Sequence, residues 1–282
     1  MEKILDLDLD YFVWPTAYNR AAEHGRPLAE DFDYIASDEQ LRHFLENRCG
    51  LSTTNRLPGA EFVEHVNAFW TWDRWMREGR LSTQFEVVHV DGHADLGVGW
   101  NDSSWVHLLI ELLALPPEKR NHPKTGDNGL HSGSYLAFAI GNRWISRTKY
   151  VYPVVPAWLA PVNDPSDYSM EAFVRRMTPT LYGEPEDDGL PTDLMALYFR
   201  NEDPRTGLIE MPHFAPEQKD QATWSTGVEP VHKEPPMPFE CIPGDTYSNS
   251  GFTHIVVAQS PVYLPESADR LMAVVREYFD PV

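Results

Sequence analysis

The sequence predicts an α/β fold built on a mostly parallel sheet. Three observations carry this. Two runs, 85–91 and 253–259, are apolar and β-branched enough to read as strands buried on both faces. Segments of helical periodicity alternate with the strand-like runs along the chain. The residues richest in chemistry fall just past strand-like runs, at the carboxyl ends, where open α/β sheets place their ligands. The densest cluster is Asp91-Gly92-His93-Ala94-Asp95, with three potential metal ligands in five residues.

Taken in order, Lys3-Ile4-Leu5-Asp6-Leu7-Asp8-Leu9-Asp10-Tyr11-Phe12 alternates apolar and acidic positions. As one strand it puts Asp6, Asp8 and Asp10 on one face together with Ile4, and Leu5, Leu7 and Leu9 on the other. Three like charges on one face call for something positive between them; a solvated acidic edge strand is the plain alternative. Residues 13–36 read as loop. Ser37-Asp38-Glu39-Gln40 has capping-box spacing and starts a helix predicted to run through Asn47. Residues 50–59 read as a connection, and 61–78 as a helix ended by Gly79, with His65 in its first turns.

Further helices are predicted at 103–115, 135–145, 170–177 and 266–279, and strands at 149–155, 194–199 and 253–259. Between them, 128–134 is a loop carrying His131. The stretch 200–252 holds eight prolines and little periodicity, so it reads as one long irregular excursion facing substrate or solvent.

Length, at 282 residues, suits one large α/β domain or two small ones. The formal net charge is -20, from 43 acidic against 23 basic residues. That argues against nucleic acid as a partner and favours cationic substrates such as an amine, a guanidinium or an Arg-bearing peptide. The two cysteines, Cys49 and Cys241, have neither disulfide-framework nor zinc-site spacing, and a reducing cytoplasm is the expected setting. Met1-Glu2-Lys3 leads directly into strand residues, unlike a signal peptide, and no apolar run is long enough for a membrane span.

Carboxylate and imidazole ligands without thiolates suit Mn²⁺, Fe²⁺, Co²⁺ or Zn²⁺. Aspartates shared by two ions, with a histidine on each, make a binuclear site whose bridging water is acidified toward neutral pH.

At these residues the chain resembles a known group. Asp91-Gly92-His93-Ala94-Asp95 is similar to the D-A-H-x-D signature of the arginase/deacetylase superfamily. His65, 26 residues before Asp91, matches that group's upstream histidine ligand. Asn128-Gly129-Leu130-His131-Ser132-Gly133 is similar to its S-G-N-x-H-G segment, and Asp6-Leu7-Asp8-Leu9-Asp10 to its D-x-D-x-H frame with Asp10 in place of the histidine. The acidic strand comes first here, whereas arginases place it late. That permuted order, with Arg143-Trp144-Ile145-Ser146 and Ala258-Gln259-Ser260-Pro261, resembles the peptide arginases, which convert arginine side chains of ribosomally made precursor peptides to ornithine.

The resemblance implies a three-layer αβα catalytic domain over 1–282. It implies two Mn²⁺ ions, one held by His65, Asp91, Asp95 and Asp8, the other by Asp91, His93, Asp8 and Asp10. A hydroxide between them attacks the guanidinium carbon and releases urea. Asp10 or Asp95 relays the proton to the leaving amine, and His131 is a substrate-side shuttle. Asp6 and His89 orient the ligands from behind. Gln259 and Ser260 stand where arginases carry a guanidinium-binding glutamate. That missing acid keeps two alternatives open: a small-molecule ureohydrolase or deacetylase-like amidohydrolase, and a non-catalytic metal-stabilised binding protein.

Overall fold

A computed structural model describes residues 1–17, 25–96, 109, 111–120, 123, 130–154, 198–200, 206–210, 212–213, 232–233, 235 and 237–282. Its strands are β1 (Lys3–Asp8), β2 (Val13–Trp14), β3 (Tyr34–Ile35), β4 (Leu57–Phe62), β5 (Phe85–Val90), β6 (Ile145–Tyr152), β7 (Tyr198–Arg200), β8 (Thr206–Glu210), β9 (Pro212–His213), β10 (His232–Lys233), β11 (Met237–Pro243), β12 (His254–Ala258) and β13 (Phe279–Pro281). Its α-helices are α1 (Asp38–His43), α2 (Asn67–Arg77), α3 (Tyr135–Gly141) and α4 (Arg270–Val275). The chain forms two compact units: Met1–Ala94 with Lys149–Pro161 and Cys241–Val282, and Asp95–Thr148 with Val162–Glu240.

In the first unit the strand order is β13-β4-β12-β1-β5, continued by the carboxyl-terminal parts of β6 and β11. β1 pairs in parallel with β12 on one side and β5 on the other, β4 pairs in parallel with β12, and β13 with β4. Strand alternation then sorts the two faces. Leu5, Leu7, Val88, Val90, Ile255 and Val257 share one face and pack with Leu41 of α1, Phe44, Leu45, and Leu271, Val274 and Val275 of α4. On the opposite face lie Ile4, Asp6 and Asp8 with their neighbours Val87, His89 and Val256. There α2 covers the sheet: the Trp75 ring sits 5.1 Å from His254, and Trp72 5.5 Å from Phe85. Helices on both faces of a parallel sheet make the three-layer α/β arrangement expected from sequence. Each fully buried leucine or valine of these layers contributes about 1.5–3 kcal/mol by leaving water.

Several local expectations are corrected. β1 ends at Asp8, and the chain turns into a 3₁₀ helix over Leu9–Phe12, with the Asp8 side chain accepting the Asp10 N–H at 3.0 Å. Asp10 therefore sits on a turn, off the strand, because that cap competes successfully with strand continuation. The capping box at Ser37 is present, with Gln40 N–H to Ser37 Oγ and Ser37 N–H to Gln40 Oε1, and α1 runs on as a π-helical stretch, Phe44–Arg48.

The helix expected over 61–78 is a strand followed by a shorter helix. β4 reaches Phe62, a turn follows, and α2 starts at Asn67. Pro58 and Gly59 disguised β4 as a connection. Gly59 is there because β4 lies between β12 and β13: a Cβ would come 2.7 Å from both Ile255 Cγ2 and Phe279 Cδ2. Gly79, at φ +71°, closes the turn after α2 as expected.

α3 stops at Gly141 and β6 begins at Ile145, earlier than the strand expected at 149. The C-terminal helix breaks into a 3₁₀ turn, α4, a second 3₁₀ turn and β13. The stretch 200–252 is not irregular throughout: it contains β8 to β11. In the second unit β11 pairs antiparallel with β8, and β8 with β7. Prolines hid β11, although Met237, Phe239 and Cys241 alternate as buried positions. Of the strand expected at 194–199, only 198–199 fall within the described residues, in β7. The helix expected at 170–177 lies outside them, as does most of the one at 103–115, of which Leu109, Leu112 and Leu113 are buried. No described helix is long and apolar enough to cross a membrane.

Candidate metal centre

The site forms because three parallel strands deliver acidic and imidazole groups at their carboxyl ends. Asp6 and Asp8 end β1, Asp91 and His93 follow β5, and His65 lies in the turn between β4 and α2. Parallel pairing puts Asp6 beside His89 on β5. His65, Asp6, Asp8, Asp10, His89 and Asp91 are buried, and His93 keeps 22% side-chain exposure, so the cluster opens to solvent at His93.

Among the described residues four groups of ligand-type atoms lie within 4.8 Å of one another, two of which include His89, and two set one histidine against two aspartates of the first unit. The first of the latter is Asp8, His65 and Asp91: His65 Nδ1 lies 3.1 Å from Asp8 Oδ2 and 3.0 Å from Asp91 Oδ2. The second is Asp10, Asp91 and His93: His93 Nδ1 lies 2.8 Å from Asp10 Oδ2 and 3.6 Å from Asp91 Oδ1. Asp91 thus turns one carboxylate oxygen toward each histidine. These buried groups could hold metal ions.

The groups behind the cluster fix which nitrogen faces it. His65 Nε2 donates to Asp6 Oδ1 at 3.0 Å, leaving Nδ1 toward Asp8 and Asp91. His93 Nε2 donates to the Ala17 carbonyl at 2.9 Å, leaving Nδ1 toward Asp10 and Asp91. The Gly92 N–H donates to Asp10 Oδ1 at 3.0 Å and the His93 N–H to Asp91 Oδ1 at 2.7 Å. Only glycine fits at 92, since a Cβ would come 2.7 Å from Thr16 Cγ2 and 3.2 Å from Asp10 Oδ1.

The electrostatics of this cluster follow from burying many carboxylates together. Burial raises the Asp6 carboxyl, but the His65 and His89 imidazoles outweigh it and hold it at about 2. For Asp91, burial again pushes upward, and His65 and His93 overcome it to hold the carboxyl well below the usual range. Burial, Asp8 and Asp91 together push the Asp10 carboxyl well above that range, against the pull of His93. Burial disfavours the charged imidazoles, yet Asp6 raises His65 and Asp10 raises His93 far above ordinary histidine. Excess negative charge is the governing feature, and divalent cations answer it.

The remaining expected site residues divide. Ser260, at φ +48° just past β12, is buried and its Oγ donates to Asp8 Oδ2, so it buttresses a ligand. Gln259 is engaged elsewhere: its backbone N–H donates to Phe62 O, and its side-chain amide donates to Asp269 Oδ1 at 2.7 Å, a carboxylate that Arg26 also grips. Asp95 is buried at φ +49° and belongs to the second unit. His131, also in the second unit, accepts the Gly133 N–H on Nδ1 at 3.1 Å, while its carbonyl accepts the Tyr135 N–H at the start of α3. Sequence reasoning gave no role to Tyr263, whose ring packs 4.8 Å from His93, or to Thr16. Tyr263 stands three residues past Ser260 in a turn closed by Tyr263 N–H to Ser260 O, a spacing that signals the contact.

Among known proteins, no family matches the chain and no curated protein matches it.

Proposed function

We propose that this chain is a metal-dependent hydrolase of the arginase/deacetylase type, with Mn²⁺ as the preferred ion over Fe²⁺, Co²⁺ or Zn²⁺, acting on peptidyl arginine to give ornithine and urea. The observation that supports it is the pair of ligand groups, buried except at His93, that share Asp91 at the carboxyl ends of parallel strands. Oxygen and imidazole donors without thiolate fit such ions. When bound, a pair of divalent ions supplies a water acidified to act as nucleophile near neutral pH.

The chain's own residues do the rest. Asp6 and the Ala17 carbonyl hold His65 and His93 in the tautomers that present Nδ1. Ser260 orients Asp8. Asp10 or Asp95 is assigned the proton for the leaving amine, and His131 the proton traffic on the substrate side. The net charge of -20 draws in an arginine-bearing precursor peptide and discourages nucleic acid. Two buried free thiols accord with a cytoplasmic setting.

A second reading is favoured by the end of β12. Gln259 donates to Asp269 and Ser260 to Asp8, so neither brings a countercharge for a guanidinium. That supports a deacetylase-like amidohydrolase or a ureohydrolase of a small molecule. Mass spectrometry of Mn²⁺-loaded protein with Arg-containing peptides, free arginine and acetyl-lysine peptides separates the readings. Loss of roughly 42 Da, the CN₂H₂ removed with urea release, at a peptide arginine is expected. Intact arginine with deacylated lysine transfers the assignment to the second reading. Metal binding with no turnover of any of the three leaves a metal-stabilised binding protein.

A further inference from the structure

We propose that His89 is a positioning residue of this centre: its two ring nitrogens tie Asp6 on β1 to the main-chain carbonyl of His93, fixing the turn that presents Asp91 and His93. The inference rests on the metal-centre reading above.

His89 is fully buried on β5. Its Nδ1 lies 3.0 Å from Asp6 Oδ2 and its Nε2 3.1 Å from the His93 carbonyl oxygen. The partners are a carboxylate and a carbonyl oxygen, so each ring nitrogen faces an acceptor. Both ring nitrogens are thus engaged by Asp6 and the His93 carbonyl, whereas His65 and His93 each turn Nδ1 toward two aspartates. The ring is flanked by His65, at 5.4 Å between centroids, and by Tyr150, at 5.7 Å. It therefore stays in place while Nε2 also approaches Asp91 Oδ2 at 3.4 Å.

Asp6 works with two arms. One oxygen sets His65, and the other, through His89, reaches across β5 to the turn after it. That turn has a second anchor, Gly92 N–H to Asp10. Removing the His89 tie leaves His65 held by Asp6 but releases the carbonyl of His93. The Asp10–Asp91–His93 group depends on His89 more than the Asp8–His65–Asp91 group does.

Two variants separate the arms. His89→Asn keeps a donor near Nδ1 for Asp6 and cannot reach His93, whereas His89→Gln extends a donor toward the His93 carbonyl. Two readouts apply: backbone amide exchange of Gly92 and His93 in metal-free protein, and Mn²⁺ titration followed by electron paramagnetic resonance. For His89→Asn, exchange of both amides quickens by about tenfold as the turn opens locally. One Mn²⁺ equivalent weakens by about 10–100-fold, the range for loss of an outer partner, while the other stays near the wild-type affinity. His89→Gln restores most of both.

Unchanged exchange and unchanged affinities in His89→Asn overturn the proposal, as does identical behaviour of the two variants. Should His89→Asn fail to fold, His89→Gln decides: native exchange supports the tie, and quickened exchange overturns it. Wild-type protein that takes up no Mn²⁺ removes the metal reading, while amide exchange still judges the tie.

Discussion

The two faces of β1 are both buried and differ in chemistry. Leu5 and Leu7 point into an apolar layer shared with α1 and α4. One residue out of phase, Asp6 and Asp8 point into a buried cluster of carboxylates and imidazoles. Both faces are inaccessible to water, yet one stabilises by hydrophobic burial and the other stores like charge that only cations or protons offset. One strand serves as core and as site because strand periodicity assigns adjacent residues to opposite sides.

Breaking the site face has the largest effect. Asp91→Asn removes the carboxylate common to both ligand groups. Mn²⁺ affinity should fall by more than the roughly 10–100-fold that loss of an outer partner costs, with turnover lost alongside. Metal analysis and circular dichroism check this, since the contrast between faces requires the fold to survive. Breaking the core face reverses the pattern. Leu7→Ala should destabilise the protein by about 2–5 kcal/mol in urea unfolding, while the folded fraction keeps its Mn²⁺ stoichiometry.

Away from β1 the effects shrink. Gly59→Ala forces a methyl against Ile255 and Phe279 and should cost about 1–3 kcal/mol, read as a lowered urea midpoint. The smallest effect is expected at the β12 end. The Asp269 carboxyl is lowered by its hydrogen bond from Arg26, against burial and with help from Gln259. A lowered folded value means stability that is present above the unfolded value near 3.8 and lost as pH falls below it. Because Asp269 is 41% exposed, solvent screening discounts the pair, and Asp269→Asn should cost below about 1 kcal/mol at pH 7. The difference from wild type should vanish in acid, measured by urea unfolding at both pH values.

The same contrast explains what was legible in the sequence. β5 and β12 were read correctly because strands buried on both faces are uninterrupted apolar runs, and β1 because acids and leucines alternate. His65, Asp8, Asp91 and His93 could be gathered as candidates because residue type and position after strands are local properties. β4 was missed because its glycine and proline answer to strands β12 and β13, which are distant in sequence. The engagement of Gln259 by Asp269 and the reach of His89 to His93 depend on side-chain directions that spacing does not encode. Asp10 was expected on a strand, and a single cap from Asp8 displaced it.

The central position of β1 also orders events during synthesis. The Lys3 N–H donates to Thr253 Oγ1 across 250 residues, and β1 pairs with β12 from Ile4 to Asp8. At ribosomal rates of about 5–20 residues per second, β1 waits roughly 12–50 s for that partner. Throughout that interval one edge of the strand is a template for any other strand that passes. Asp6 and Asp8 stand on one face of that strand as charges, and charged side chains discourage stray strand addition.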